Sequence, residues 1–152
     1  MKGTHSEIRR NLISTQHGEH LHDFSQILIG WQGKMTCELP SSARALSRGQ
    51  FAFAPNDIPH LFSGQTQDCE LLVVDIHQQD PLMTYIKDSA GVSLDTLMRS
   101  SAMFSQLPVE MMGCLEFAAK QLHQAPDALR RRISTQMLPM LLLNFLKKGK
   151  KL

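Results

Sequence analysis

Three histidines, two carboxylic acids and a glutamine crowd into the ten residues HGEHLHDFSQ, 17–26, of a chain that has seven histidines in all. In an extended strand, side chains two apart share a face. His20 and His22 can therefore converge on one point, and Gln26 joins them where the extended course is kept. A second stretch, GQFAFAPNDIPH at 49–60, supplies a turn-forming glycine, a strand-like run and the turn PNDIP that delivers His60. Clustered imidazoles have two chemical uses. Neutral, they hold a divalent transition metal such as zinc, nickel, iron or manganese. As donors and acceptors they orient an organic ligand in a pocket. Gln26 brings no negative charge to offset a metal, so both uses stay open. Trp31 and Phe62 are aromatic candidates to line that pocket, on strands that also need core residues. Asp57, in the turn, is expected to face solvent. No second acid or base stands out beside the histidines, so no catalytic residue is assigned, and His5, His17, His77 and His123 read as ordinary surface or satisfied histidines.

These residues need a frame, and the chain is large enough to build one. At 152 residues, with 42% hydrophobic and 20% charged residues, it has the size and balance of one globular domain. From about residue 8 to 77, short strand-like segments alternate with turn residues: FSQILIGW (24–31), KMTCEL (34–39), ARALS (43–47), FAFAP (51–55), HLFS (60–63) and CELLVVDI (69–76). That rhythm suits an antiparallel sandwich or barrel. After Asp80 the pattern lengthens. DPLMTYIKDS suggests a short helical turn, followed by a loop-like stretch rich in Ser, Asp and Gly. Met111, Met112, Leu115, Ala118, Ala119 and Leu122 then recur at helical spacing within 107–124. A second helical stripe, Leu129, Ile133, Met137, Met140, Leu141 and Phe145, contains Pro139, which is expected to kink or split it. The division expected is a β-barrel over 1–80 and a connecting segment with C-terminal helices over 81–152, within one compact domain.

The spacing His20-x-His22-x3-Gln26-x6-Gly33, followed by Gly49-x5-Pro55-x-Asp57-x2-His60, resembles the two motifs of the cupin superfamily, with Gln26 where that family carries glutamate. The resemblance implies a mostly β fold: a double-stranded β-helix barrel followed by a C-terminal α-helical hairpin, with His20, His22, Gln26 and His60 in the barrel mouth, where the four would hold a divalent metal or a small-molecule ligand. A closer likeness extends further. HLHDFSQILIGWQGKM, LSRGQFAFAPNDIPHLFSG and CELLVVDI in succession resemble the N-terminal sensor domain of AraC-type transcriptional regulators. That likeness implies a domain that binds a small-molecule effector and dimerises through its helices. The pair of helix-turn-helix units that reads DNA in such regulators is not in this sequence, so a sensor domain of a longer protein or a stand-alone relative is expected. The alternative is a small metal-dependent cupin enzyme of dioxygenase or isomerase type.

Charge and cysteine usage narrow the partners. The net charge is +2, but four of the sixteen basic residues sit in KKGKKL; setting those four aside leaves twelve basic against fourteen acidic, or −2. The body thus has no basic footprint for nucleic acid, and no sequence-specific DNA binding by this chain is expected. Cys37, Cys69 and Cys114 are odd in number and widely spaced, which reads as reduced, buried thiols. No apolar run approaches the ~20 residues of a membrane span. The N-terminus MKGTHSEIRR lacks a signal-peptide core, so a cytoplasmic location and no membrane partner are expected. Finally, Leu142, Leu143 and Leu146 fall outside the main stripe of the last helix, and a homodimer is expected to cover them.

Overall fold

The structure, a computed structural model, describes residues 5–13, 23–40, 42–66, 68–100 and 104–150. Two antiparallel sheets face each other. The larger has strand order β1-β7-β2-β5-β8, from β1 (Glu7–Ile13), β7 (Cys69–Ile76), β2 (Ser25–Gln32), β5 (Gln50–Ala54) and β8 (Phe104–Gln106). The smaller has order β4-β3-β6, from β4 (Ser42–Leu46), β3 (Met35–Leu39) and β6 (Leu61–Gly64). Four helices follow the strands: α1 (Pro81–Ala90), α2 (Leu94–Ser100), α3 (Val109–Leu122) and α4 (Asp127–Lys150).

The apolar runs in β2 and β7 exist because these strands are covered on both faces. Alternation sends Ile27, Ile29, Phe51, Phe53, Leu72, Val74 and Ile76 toward the helices. Leu28, Ala52, Ala54, Leu71 and Val73 point instead toward the smaller sheet, where they meet Met35, Cys37, Leu46 and Phe62. A strand buried on both sides has no polar face to show, so it reads as a continuous hydrophobic stretch. β3 is covered on one side only, and its pattern shows it: Met35, Cys37 and Leu39 are buried while Glu38 is exposed.

Two glycines permit the turn between the sheets. Gly49 has φ +85°, and its N–H donates to Gly30 O at 2.9 Å. A Cβ added at Gly30 would lie 2.4 Å from Ser47 O, so only glycine fits that approach.

β1 is an edge strand, with outward-facing backbone groups that need partners. Helix α4 supplies one, and side chains of β1 tie the strand down further. The Ile8 N–H donates to the Ser134 hydroxyl of α4 at 3.0 Å. Arg10 forms a two-point bond with Glu70, 2.7 Å on each arm, and its Nη1 donates to Ala119 O of α3 at 2.9 Å. Phe145 of α4 meets Phe51 and Phe53 edge-on, with ring centres 5.0 and 6.0 Å away, locking the helix layer onto β5.

Several expectations change here. β1 was not anticipated, and the stretch after residue 90 expected as loop contains α2 and the short strand β8, which pairs with β5. The expected helical turn after Asp80 is a ten-residue helix, with the Asp80 carboxylate accepting from Leu82 N at 3.0 Å and Gly91 closing its end. Pro139 does not split α4, which runs as one helix through it. The carbonyl that Pro139 cannot bond belongs to Thr135, an exposed residue, where water can satisfy it. Leu142 (0% exposed) and Leu146 (1%) are covered by the chain's own core, not left for a partner, because α4 packs against β1, α1, α2 and α3 at once.

The three cysteines are unpaired, and burial, with Glu38 nearby, pushes the Cys37 thiol up to about 12. No helix among the described residues is long and apolar enough to cross a membrane.

Leu142→Ala is expected to cost about 2–5 kcal/mol in a denaturant titration, the range for emptying a packed leucine site. Met140→Ala, at a residue 58% exposed, should cost less than ~1 kcal/mol. Equal losses at the two positions would contradict the packing of α4 described here.

Candidate functional site

Gln26 stands near the start of β2, in register with Ala54 of β5 on one side and Asp75 of β7 on the other. It shares a face with Leu28, two residues on, and so points into the interior between the sheets. Its Nε2 donates to Asp75 Oδ1 at 2.8 Å. Asp75 is only 6% exposed, and also accepts from Arg9 of β1, at 2.8 Å on Oδ2 and 3.4 Å on Oδ1. Three strands thus contribute to one polar row, Arg9, Asp75 and Gln26.

The carboxylate fixes the amide. An ionised carboxylate only accepts, so the Gln26 nitrogen must face Asp75 and its oxygen must face away. Gln26 is 2% exposed, and Oε1 has no hydrogen-bond partner among the described residues. A buried acceptor left in that state costs about 1–3 kcal/mol. The neighbouring Ala54 side chain has no donor to offer. Such an atom is open to a hydrogen-bond donor from outside the described residues.

His60 reaches the same interior by another route. The turn between β5 and β6 closes through Ile58 N–H to Pro55 O at 3.0 Å. Its Asn56 N–H donates to the hydroxyl of Ser25 at 3.1 Å. Ser25 is fully buried and directly precedes Gln26, so one contact sets the His60 turn relative to the Gln26 strand. His60 is 2% exposed, and its ring lies nearly parallel to that of Phe62, 14° apart with centres 6.0 Å distant. Phe62 belongs to the apolar layer between the sheets. Asp57 points outward, its side chain 64% exposed and paired with Arg99 at 2.9 Å.

Of the residues singled out in the sequence, the fold brings Gln26, His60 and Phe62 to the layer between the sheets. Trp31 is elsewhere: it packs in the cluster on the helix-facing side, with the Arg48 guanidinium 4.0 Å above its ring. His20 and His22 lie outside the described residues, as does His17. The sequence reading missed Asp75 and Arg9. Asp75 carried a signal, since an acid on the inward side of CELLVVDI, in step with Leu71 and Val73, needs a buried partner. Arg9 carried none without its strand.

A metal is not supported by these residues alone. Among the described residues no group of three His, Cys, Asp or Glu is placed to hold one. The carboxylate beside Gln26 is engaged by Arg9, and one imidazole with one amide oxygen falls short of the three or four donors of a transition-metal site.

No family model matches the chain, and no curated protein matches its sequence. Solved structures do. An apo variant of ToxT from Vibrio cholerae shares the fold over 96% of this chain, with TM-score 0.67 at 9% identity, and this chain spans 56% of that one. A cupin-2 domain protein from Shewanella frigidimarina aligns at TM-score 0.43 and 14% identity, covering 50% of this chain and 72% of its own. KdgF from a Halomonas species aligns at 0.42 and 21%, covering 47% and 81%. The chain shares with that ToxT structure a fold of two facing antiparallel sheets followed by C-terminal helices.

Two substitutions separate a structural role from a reserved one. Asp75→Ala, which strands both Arg9 and the Gln26 amide nitrogen, is expected to cost about 2–3 kcal/mol in chemical denaturation. Gln26→Leu removes an unsatisfied acceptor with the Asp75 bond, and its stability should stay within about 1 kcal/mol of the parent. A Gln26→Leu loss matching that of Asp75→Ala would make Gln26 a structural residue.

Proposed function

We propose that this chain is the small-molecule-sensing and dimerisation domain of an AraC-type transcriptional regulator, or a stand-alone relative of one. The effector sits between the two sheets, at Gln26 and His60 against the Phe62 ring. One observation carries this reading: a buried amide oxygen, fixed by Asp75 and lacking a partner among the described residues. The fold shared with ToxT, an AraC-family regulator, supports it at the level of architecture.

The chemistry of the site sets a condition on the effector. Oε1 accepts, so the effector must present a hydroxyl or N–H at that point. A carboxylate group of an effector would set one acceptor against another, and is disfavoured there. Sensing then follows as a population shift, in which the occupied arrangement of barrel and helices is favoured over the empty one by the difference in effector affinity.

The helices supply the dimer face in this reading. Val109 (79% exposed) and Phe117 (65%) lie eight residues apart on one stripe of α3, and between them Gly113 has nothing within 4 Å of an added Cβ. A two-fold pairing of that stripe covers apolar surface the protomer leaves open. This stripe takes the place of Leu142 and Leu146 as the dimer surface. The chain itself does not read DNA sequence.

Two measurements test the proposal. Screened by thermal shift against a panel of hydroxyl- and amine-bearing metabolites, the parent should gain stability with at least one, and Gln26→Leu should lose that response. A response that survives in Gln26→Leu would move the effector elsewhere. By light scattering at tens of micromolar, the particle should weigh twice the 17.1 kDa chain, with Phe117→Glu monomeric and folded; a monomeric parent would remove dimerisation from the account.

A further inference from the structure

Arg99, near the end of α2, reaches out of the helix layer to the turn that carries His60. Its Nη1 donates to Asp57 Oδ1 at 2.9 Å, and its Nη2 to Asn56 Oδ1 at 2.8 Å. Both acceptors belong to the PNDIP turn. Its Nε donates to the two oxygens of Asp95, one helical turn back, at 3.1 Å each. Asp95 thus braces the guanidinium from its own helix while two of its nitrogens hold the turn. A second grip on the turn is the bond from Asn56 N–H to Ser25, beside Gln26. The turn is held from the barrel on one side and from the helices on the other.

Below Arg99 the helix is rigidly seated. Leu94 (2% exposed) and Met98 (0%) of α2 are buried in the core that includes Leu142 and Phe145 of α4. A displacement of the turn therefore has a short path to the longest helix: Asn56 and Asp57, then Arg99, then Met98, then α4.

We propose that Arg99 is a positioning residue for His60 and couples the barrel mouth to the α2–α4 layer. The proposal goes beyond the sensing function and gives it a route, but the coupling stands or falls without any effector. Arg99 and Asp57 have side chains 37% and 64% exposed, so their ion pair adds little to global stability. What the contact supplies is geometry. Three donor nitrogens in one plane define where the turn sits relative to the helix, which a single charge cannot do.

Hydrogen–deuterium exchange on the whole chain tests this, with His60→Gln as the perturbation of the barrel mouth and Phe62→Leu as a milder second one. With Arg99 present, either change should alter exchange about threefold or more, both in the turn 55–60 and in α2. With Arg99→Ala added, the change in the turn should remain and the change in α2 should vanish. Arg99→Lys keeps the charge but not the fork, and should behave as the alanine variant. The proposal is overturned if α2 responds equally with and without Arg99, if neither barrel substitution reaches α2, or if lysine restores the response. A failure to find an effector would leave these results standing. An effector whose binding alters α2 in Arg99→Ala as it does in the parent would keep the sensor and discard this route.

Discussion

The constraint on which the fold rests is the two-sided burial of β2 and β7. Neither strand has a solvent face, so neither sheet nor helix layer is optional: removing either would expose a continuous row of Ile, Leu and Val. The helices are therefore part of the domain's core and not an appendage to a barrel. This also explains why β8, from beyond the first helices, can serve as the fifth strand of the larger sheet.

Against that apolar background the row Arg9, Asp75 and Gln26 is the exception. Charge and amide are buried where alternation would otherwise place another Leu or Val. The Arg9–Asp75 pair is self-sufficient: each charge has its counterpart. Gln26 is not, because Asp75 uses its nitrogen and its oxygen has no hydrogen-bond partner among the described residues. In a sheet this well covered, the leftover acceptor, at the same end as His60, is the atom the proposed effector would complete. The turn that brings His60 there is tied to both layers, to β2 through Asn56 and Ser25 and to α2 through Asp57 and Arg99.

Much of this was legible in the sequence, for physical reasons. Strands β2 to β7 announce themselves by apolar runs cut by glycine and proline, and the motif spacing picked out Gln26 and His60 because turn geometry preserves it. β1 was hidden because EIRRNLI is an edge strand: Arg9 and Arg10 find Asp75 and Glu70 only after folding, so the segment looks like a charged tail. α2 has seven residues and β8 three, too few for any period to show. Trp31 was assigned to the pocket as an aromatic on the right strand, but the odd positions of β2 face the helices, and Trp31 follows Ile27 and Ile29. Leu142 and Leu146 are surplus to the one stripe a surface helix needs, but α4 is enclosed on several sides and uses them.

The central claim is that Gln26 Oε1 is held for a ligand donor, and the most direct measurement is a high-resolution crystal structure of the protein as purified or with an effector from the screen. The account predicts a hydroxyl or N–H of a bound molecule about 2.6–3.2 Å from Oε1, with the Gln26 nitrogen still on Asp75. A structure in which a side chain of the protein itself donates to Oε1, leaving no space beside His60 and Phe62, would contradict it.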